Sequence, residues 1–251
     1  MSRPRPRAFD SELVQIGRLR VRVRVEGDGP ALLLLNGFLR PLESWAPITL
    51  ALSGHTIVTF DAPGAGGSPT PLYPLSISTL ARLAVSVLDE VGVDTADVLG
   101  YSHGGGVAQQ LAVDAPDRLR RLVLVSTSCG LGATPGNQGA LNTLRRPAAA
   151  RDWPLPDPMG ALWQVLAISA WTSIPFLAAI RAPTLVVCGA HDRVVPPANS
   201  RLLAQRIPGA EFLIIPGGHD VQCSRSAKAL ATAIEPFLSA GRGPTQLQAA
   251  G

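Results

Sequence analysis

The chain has 251 residues, of which 46% are hydrophobic and only 16% are charged, so its composition excludes a largely disordered protein and allows one large domain. No uninterrupted apolar run approaches the roughly 20 residues that span a bilayer. Because the basic, proline-rich "MSRPRPR" at the start also lacks the apolar stretch of a signal peptide, we predict a cytoplasmic protein without a membrane span.

The first predicted strand carries the densest group of positive charges. Arginines at positions 18, 20, 22 and 24 alternate with leucine and valine, which places them on one face of a strand. A phosphate-binding stripe is one interpretation, and a solvated outer face is the one we favour. The net charge is +4, and every basic residue except Lys228 is an arginine. We interpret this as a bias in composition rather than a binding surface, so we expect no nucleic-acid partner.

Six apolar runs follow, each bounded by turn residues and suited to a strand buried on both faces. They are "ALLLLNG" (31–37), "HTIVTFDAPGAGGS" (55–68), "ADVLGYS" (96–102), "RLRRLVLVSTS" (118–128), "APTLVVCGA" (182–190) and "AEFLIIPGGH" (210–219). Helical patterns such as "SISTLARLAVSVLDEVG" separate several of these runs. The alternation predicts an open α/β sheet with a short antiparallel start.

A long stretch without a strand interrupts this alternation and contains short, proline-punctuated helical pieces. An insertion of this length inside a compact domain is usually functional, so we predict a cap over residues 131–180. The core then comprises residues 1–130 and 181–240, and residues 241–251 form a disordered tail. Three tryptophans fall in the cap and are expected to line an apolar substrate pocket, although they could instead pack the cap onto the sheet: Trp153, Trp163 and Trp171.

The stretch "VLGYSHGGGVAQQL" places Gly100, Ser102 and Gly104 in a G-x-S-x-G pattern between a strand and a helix. A serine nucleophile needs a base, and the base needs a carboxylate that orients it. Asp192 comes just after the fifth apolar run and His219 just after the sixth, in the order that this arrangement requires. We therefore predict Ser102, Asp192 and His219 as a catalytic triad.

Each of these residues also has a structural interpretation. The serine could belong to an ordinary turn, Asp192 could cap a helix, and His219 could be a surface residue. His191 is a less favoured candidate base because it precedes the acid in the chain. The joint occurrence at successive strand ends favours the catalytic hypothesis.

Two backbone N–H groups are the candidates for an oxyanion hole. One belongs to His103, directly after the serine, and its side chain could face the pocket or pack against the helix. The other belongs to Phe38, in the turn that follows "LLLLNG". The alternative is that Asn36 and Gly37 form only a tight turn.

The other motifs argue against cofactor chemistry. The glycine-rich "FDAPGAGGSP" lacks the G-x-G-x-x-G spacing and a P-loop lysine, so we interpret it as a turn at the sheet edge rather than a nucleotide site. The cysteines, at positions 129, 188 and 223, are odd in number and lack metal-ligand spacing, which favours buried reduced thiols. We expect no metal and no cofactor.

Taken with the triad motif, several stretches resemble the α/β-hydrolase superfamily over nearly the whole chain, and within it the intracellular medium-chain-length polyhydroxyalkanoate depolymerases. These stretches include "LLLLNGF", "FDAPGAGGSPTP", "GGGVAQQLA", "WTSIPFL" and "RLLAQRIPGAEFLIIPGGH". The resemblance implies the α/β-hydrolase fold: a mostly parallel sheet with antiparallel N-terminal strands, helices on both faces and a short helical cap. It also implies a 3-hydroxyacyl ester as the substrate, small or polymeric.

The chain departs from that family near the site. His103 stands where the family usually has tryptophan, Asp220 stands where an apolar residue is expected, and the cap is shorter. A thioesterase, lactonase or cyclase on the same scaffold therefore stays an alternative to the ester hydrolase, as does a non-catalytic ligand receptor.

Overall fold

The computed structural model describes residues 11–52, 54–137, 153–154, 157–222 and 225–240. The strands are β1 (Glu12–Ile16), β2 (Leu19–Glu26), β3 (Ala31–Leu35), β4 (Thr56–Phe60), β5 (Ala96–Tyr101), β6 (Leu119–Val125), β7 (Thr184–Gly189) and β8 (Glu211–Ile215). The helices are α1 (Ala46–Thr49), α2 (Ile77–Glu90), α3 (His103–Asp114), α4 (Pro158–Ser169), α5 (Pro197–Arg206) and α6 (Ala227–Ser239).

The strands form one sheet in the order β1-β2-β4-β3-β5-β6-β7-β8. β2 runs antiparallel to both β1 and β4, and all the other neighbouring strands are parallel. The prediction of a mostly parallel sheet with antiparallel strands at its N-terminal side is therefore confirmed. The carboxyl ends of β3, β5, β7 and β8 consequently lie along one edge.

The apolar runs have no polar alternation because helices cover both faces of the sheet. Every residue of β3, β5 and β7 is buried. β8 lies at the edge of the sheet and is mostly exposed, so the prediction of burial on both faces is wrong for that run. Successive side chains of β3 point to opposite faces, so Leu33 and Leu35 join the core with α2 and α3, whereas Leu32 and Leu34 join the core with α1 and α6. The expectation of helices on both faces is confirmed.

Side-chain caps define where two of the helices begin. The Ser76 hydroxyl accepts a hydrogen bond from the Thr79 N–H at the start of α2. Asp157 does the same for the Met159 N–H at the start of α4, where Pro158 occupies the first helical position. α4 therefore begins at a defined place in the connection between β6 and β7.

The predicted cap includes α4, but its division from the core stays a prediction. Much of it, residues 138–152, lies outside the described residues, as does the predicted tail at 241–251. Within the described ranges, no helix is both long enough and apolar enough to cross a membrane.

The arginine face of β2 is only partly solvated. Arg18 and Arg20 are exposed, whereas Arg22 forms ion pairs with Glu43 and with Asp61, the latter at 3.3 Å. The solvated-face interpretation therefore holds for the arginines at the start of the strand. Farther along the strand, Arg22 is instead held by ion pairs with residues of other segments.

The glycine-rich loop after β4 is folded around its own aspartate. The buried Asp61 carboxylate accepts hydrogen bonds from the backbone N–H groups of Leu42 and Gly67, each at 2.7 Å. Burial raises the pKa of Asp61, while these hydrogen bonds and Arg22 act in the opposite direction. The Gly67 N–H is thus occupied by a carboxylate of the chain itself, as suits a structural turn.

Two of the three cysteines lie among the described residues. Cys129 and Cys188 are buried and free, and burial raises the pKa of both thiols. The prediction of buried reduced thiols is confirmed for this pair, and Cys223 lies outside the described residues.

Candidate active site

Ser102 lies at a sharp turn between β5 and α3. Its backbone has φ 52° and ψ −117°, a left-handed conformation that costs a non-glycine residue about 1–3 kcal/mol. The Ser102 N–H donates to the Val125 carbonyl at 2.9 Å, and the Thr127 hydroxyl donates to the Ser102 carbonyl at 2.7 Å. These hydrogen bonds from β6 and its loop hold the strained turn.

The glycines on either side of Ser102 are explained by close approach. A Cβ at Gly104 would lie 2.2 Å from the Leu35 carbonyl oxygen, and one at Gly100 would lie 2.6 Å from the Cβ of Ala108. Both distances are far below van der Waals contact. The glycines therefore let the start of α3 lie against β3 and β5, although a glycine in the helix, at position 104, costs about 1 kcal/mol.

The structure brings the three predicted triad residues together at the carboxyl edge of the sheet. Ser102 Oγ lies 3.0 Å from Nε2 of His219, and Nδ1 of His219 lies 2.9 Å from Oδ2 of Asp192. Asp192 follows β7 and His219 follows β8. This arrangement can move a proton from the hydroxyl to the imidazole, because a carboxylate at Nδ1 leaves Nε2 free to accept.

Asp192 is itself fixed by its loop. The second carboxylate oxygen, Oδ1, accepts the backbone N–H groups of Val194 at 3.0 Å and Val195 at 2.8 Å. The Asp192 side chain is fully buried where it meets Nδ1 of His219. His191, the less favoured base in the sequence, is exposed and contributes its backbone N–H to the Gly217 carbonyl.

Both candidate oxyanion residues line the cavity that opens beside Ser102. His103 is the first residue of α3, so its N–H has no acceptor within the helix. The turn with Phe38 is tied to α4, because the Leu39 N–H donates to Oε1 of Gln164 at 2.9 Å. Sequence reasoning missed this contact, since the two residues lie 125 positions apart.

The His103 imidazole is buried beside the nucleophile. Burial lowers the pKa of His103 to about 4, and the Gln164 backbone carbonyl, which accepts a hydrogen bond from the ring, acts in the opposite direction. The side chain is therefore neutral at pH 7. Among the described residues, its Nε2 has no hydrogen-bond partner.

Stability should depend on pH through this buried histidine. Below pH 6.5 the unfolded chain binds a proton that the folded chain binds only near pH 4, so the free energy of unfolding should decrease across this window. The contribution of the neutral His103 side chain to the free energy of unfolding is complete above pH 6.5, and about 3 kcal/mol of that contribution should be lost by pH 4. His103→Gln removes the titration and keeps a donor for the Gln164 carbonyl.

Urea unfolding at pH 7, 5.5 and 4.5 measures this effect. The free energy of unfolding should decrease more steeply with acidification in the wild type than in His103→Gln. The same replacement at the exposed His191 is the matched control for removing a histidine without changing a buried group. Equal pH dependence in the wild type and His103→Gln would contradict a buried neutral imidazole.

A cavity of about 470 Å³ opens at Ser102 and His219, within the range for a drug-sized ligand. Its apolar wall comes from the turn after β3, from α4 and from the loop after Asp192, through Phe38, Val165, Ile168, Val194 and Val195. The polar lining consists of Arg40, Tyr101, Ser102, His103, Thr127, Ser128 and His219. An apolar chain attached to a carbonyl at Ser102 would fit this space.

Two of the three predicted pocket tryptophans do not line this cavity. Trp171 is buried in the core, where its Nε1 donates to Gln110 of α3 at 2.8 Å. Trp163 faces the other way, since its Nε1 donates to the Pro71 carbonyl at 3.0 Å. Neither lines the described cavity, because each indole N–H donates a hydrogen bond to a residue that is not part of the cavity lining.

Trp153 approaches the cavity only through a neighbour. The guanidinium carbon of Arg40, which does line the cavity, lies 5.3 Å from the centre of the Trp153 ring. This distance is that of a cation–π contact. Of the three tryptophans, Trp153 is therefore the one that supports a cavity wall, and it does so from behind an arginine.

Sequence reasoning also missed a polar group around Asp220. Its Oδ1 accepts from Nη2 of Arg40 at 2.7 Å and from the Tyr101 hydroxyl at 3.2 Å. The Tyr101 ring in turn lies against the His219 ring, with centroids 5.3 Å apart. The only signal in the sequence was the aspartate itself, at a position where the resembling family has an apolar residue.

No group of three or more histidine, cysteine, aspartate or glutamate side chains that could hold a metal ion occurs among the described residues.

The chain is similar to known hydrolases in both sequence and structure. A family model described as the alpha/beta hydrolase fold matches residues 30–152 and 131–225. A poly(3-hydroxyalkanoate) depolymerase from Ectopseudomonas oleovorans is 34% identical, over 94% of this chain and 95% of that protein.

Two solved structures extend the likeness. A hydrolase from Pseudomonas aeruginosa PA01 superposes with a TM-score of 0.82 at 28% identity and covers 93% of this chain and 100% of its own. The enol-lactonase from Burkholderia xenovorans LB400 gives a TM-score of 0.80 at 26% identity, with coverage of 89% and 98% respectively.

Proposed function

Because the chain belongs to the α/β-hydrolase family, we propose that it is a serine hydrolase that cleaves a carboxylic ester through an acyl-enzyme intermediate. The three similar proteins reported above are a depolymerase, a hydrolase and an enol-lactonase, and all three names describe hydrolytic activities. The observation that carries the serine mechanism is the hydrogen-bonded series from Ser102 through His219 to Asp192, with steps of 3.0 and 2.9 Å.

The first half of the reaction acylates the serine. Ser102 Oγ attacks the ester carbonyl carbon while Nε2 of His219 takes the hydroxyl proton. The negative charge on the carbonyl oxygen is held by the backbone N–H groups of Phe38 and His103. His219 then gives its proton to the departing alcohol, and Asp192 stabilises the imidazolium in between.

The second half releases the acid. His219 removes a proton from water, which attacks the acyl carbon. The tetrahedral intermediate then collapses to the carboxylic acid as the imidazolium returns that proton to Ser102 Oγ. Apart from the ester and this water, the scheme uses only groups of the chain.

The proposed substrate is a medium-chain 3-hydroxyacyl ester. The depolymerase relative supports the 3-hydroxyacyl class. The cavity of about 470 Å³, with apolar walls from Val165, Ile168 and Val195, supports an acyl chain of medium length. A lactone is the second candidate, favoured by the likeness to an enol-lactonase structure.

A substrate panel under one assay tests this proposal. It compares emulsified polyhydroxyalkanoate, methyl 3-hydroxyoctanoate, the matching acyl thioester and a medium-chain lactone. We expect the highest kcat/KM among the soluble substrates for the 3-hydroxyacyl ester, and labelling of Ser102 by a fluorophosphonate probe. Faster lactone opening would favour the second candidate. Absence of both hydrolysis and labelling would contradict the serine mechanism and favour a ligand receptor.

A further inference from the structure

Gln164 is a buried amide in a helix that is otherwise apolar beside the site. It lies on α4 and is only 4% exposed. From Pro158 to Ile168 the helix has no other amide, hydroxyl or charged side chain. Burying an amide costs free energy unless the amide is hydrogen-bonded, so its partners indicate what it does.

The Gln164 side chain holds the turn that follows β3. Its Oε1 accepts the Leu39 N–H at 2.9 Å. Leu39 has φ 54°, in the left-handed region that a bulky residue rarely adopts. A strained residue keeps such a conformation only when its surroundings hold it there, and Gln164 supplies such a contact directly beside Phe38.

The Phe38 N–H lies between two N–H groups that are bonded within the chain. The Gly37 N–H donates to Oδ1 of Asn36 at 3.0 Å. On the other side, the Leu39 N–H donates to Gln164. The Phe38 N–H itself has no hydrogen-bond acceptor in the part of the chain that the structure describes, and Phe38 lines the cavity. The bonded neighbours therefore restrict the direction of the N–H group that is proposed for the oxyanion hole.

The same glutamine contacts the residue of the second proposed donor. The backbone carbonyl of Gln164 accepts a hydrogen bond from the ring of His103, whose N–H is the other group proposed for the oxyanion hole. Gln164 therefore joins the turn after β3, which carries one donor, to the start of α3, which carries the other.

Packing alone does not explain this amide. α4 is already attached closely elsewhere, since a Cβ at Gly160 would lie 2.0 Å from the Gly64 carbonyl oxygen. Trp163 adds a hydrogen bond from its Nε1 to the Pro71 carbonyl at 3.0 Å. Nε2 of Gln164, in contrast, is buried without a hydrogen-bond partner among the described residues, which costs free energy. An apolar side chain would pack α4 without that cost.

We propose that Gln164 is a positioning residue for the oxyanion hole, which holds the Phe38 turn and His103 so that both N–H groups reach one oxygen. This inference rests on the proposed serine hydrolase function and adds to it a residue that does not line the cavity. Its contribution should appear only in states that carry an oxyanion, because a ground-state ester has no negative charge there.

Gln164→Met and Gln164→Asn test the proposal. Methionine has a similar length but no strong acceptor, and asparagine keeps the amide but is one methylene too short to reach Leu39. Gln110→Met is the matched control. The same replacement there removes a buried acceptor, which takes the Trp171 Nε1–H at 2.8 Å, and Gln110 is not part of the cavity lining.

Two ketones with the same heptyl chain separate oxyanion binding from ground-state binding. Ser102 Oγ adds to the carbonyl carbon of heptyl trifluoromethyl ketone, its proton passes to Nε2 of His219, and the carbonyl oxygen becomes an oxyanion. Heptyl methyl ketone binds as the unreacted ketone. The inhibition constants of both ketones are measured against hydrolysis of methyl 3-hydroxyoctanoate, together with kcat and KM.

Both Gln164 variants should lower kcat by about tenfold to a hundredfold, as expected for a displaced rather than a missing donor, with KM within about threefold of the wild type. The inhibition constant of the trifluoromethyl ketone should rise by a similar factor, and that of the methyl ketone should not change. Gln110→Met should change neither constant. A partly unfolded variant would lower kcat but leave both inhibition constants unchanged, so a purely structural role does not produce this result.

The proposal is overturned if the variants bind the trifluoromethyl ketone as tightly as the wild type does, if both inhibition constants rise together, or if Gln110→Met shows the same loss. Thermal unfolding shows whether each variant is folded, and if only one Gln164 variant folds, that variant decides. A wild type that hydrolyses no ester and forms no adduct with the trifluoromethyl ketone would instead overturn the proposed function.

Discussion

Replacing Ser102 with alanine is expected to lower kcat for ester hydrolysis by about four to six orders of magnitude. The change removes the only atom that can form the acyl-enzyme in the proposed mechanism, while the backbone N–H groups of Phe38 and His103 stay in place. The rate should be measured on the best ester of the panel, and covalent labelling by a fluorophosphonate should be lost at the same time.

Ser86→Ala is the matched control for this variant. Ser86 lies on α2 and is not among the residues that line the cavity at Ser102. Both variants should unfold at nearly the wild-type temperature, so that a loss of rate in Ser102→Ala is not a loss of fold. An ester hydrolase rate in purified Ser102→Ala within tenfold of the wild type would contradict the assignment of the nucleophile.

Replacing Asp192 with asparagine is expected to lower kcat by about 10⁴ at neutral pH. The asparagine oxygen can still accept the N–H groups of Val194 and Val195, which hold the loop at 3.0 and 2.8 Å from Asp192 Oδ1. Its amide N–H₂ then faces Nδ1 of His219 and donates to it. Nε2 must carry the proton in that tautomer, so it can no longer accept one from Ser102.

The comparison with Asp192→Ala separates orientation from stability. Alanine removes the loop contacts as well as the contact with His219, so Asp192→Ala should unfold at a lower temperature whereas Asp192→Asn should not. Both should show a similarly low kcat in steady-state assays. If Asp192→Asn keeps more than a tenth of the wild-type kcat, Asp192 does not set the tautomer of His219.

Most of the sheet could be predicted from local patterns. Apolar runs such as "ALLLLNG" and "APTLVVCGA" are buried strands because helices cover both faces, and burial on both faces leaves no place for polar alternation. The family resemblance was also visible in the sequence, since its motifs are contiguous, and the family model and the depolymerase relative confirm it.

The candidate catalytic residues at the strand ends could also be predicted from the sequence. In a parallel sheet the carboxyl ends of the strands meet at one edge, so chain order alone predicts that Ser102, Asp192 and His219 lie close together. The structure brings them within hydrogen-bond distance. Their catalytic roles stay a prediction until the variants above are measured.

The contacts that build the cavity wall could not be predicted from the sequence. Trp163 and Trp171 looked like pocket residues because they are large and apolar, but each indole N–H is bonded elsewhere, to the Pro71 carbonyl and to Gln110. The contact of Gln164 with the turn at Leu39 spans 125 positions, and that of Arg40 with Asp220 spans 180. A local pattern in the sequence carries no information about contacts between residues so far apart in the chain.

The sequence by itself determined the order of the chemical groups along the chain of this protein: a strained serine flanked by glycines, then an acid, then a histidine, each after an apolar run. Those signals are local, because backbone sterics and burial act on neighbouring residues. Only the tertiary structure decided that Arg40 and Asp220 pair beside the imidazole, and that Trp163 and Trp171 bond to partners that do not line the cavity. Such pairings depend on how separate loops pack, and packing is set by the whole fold rather than by any one segment.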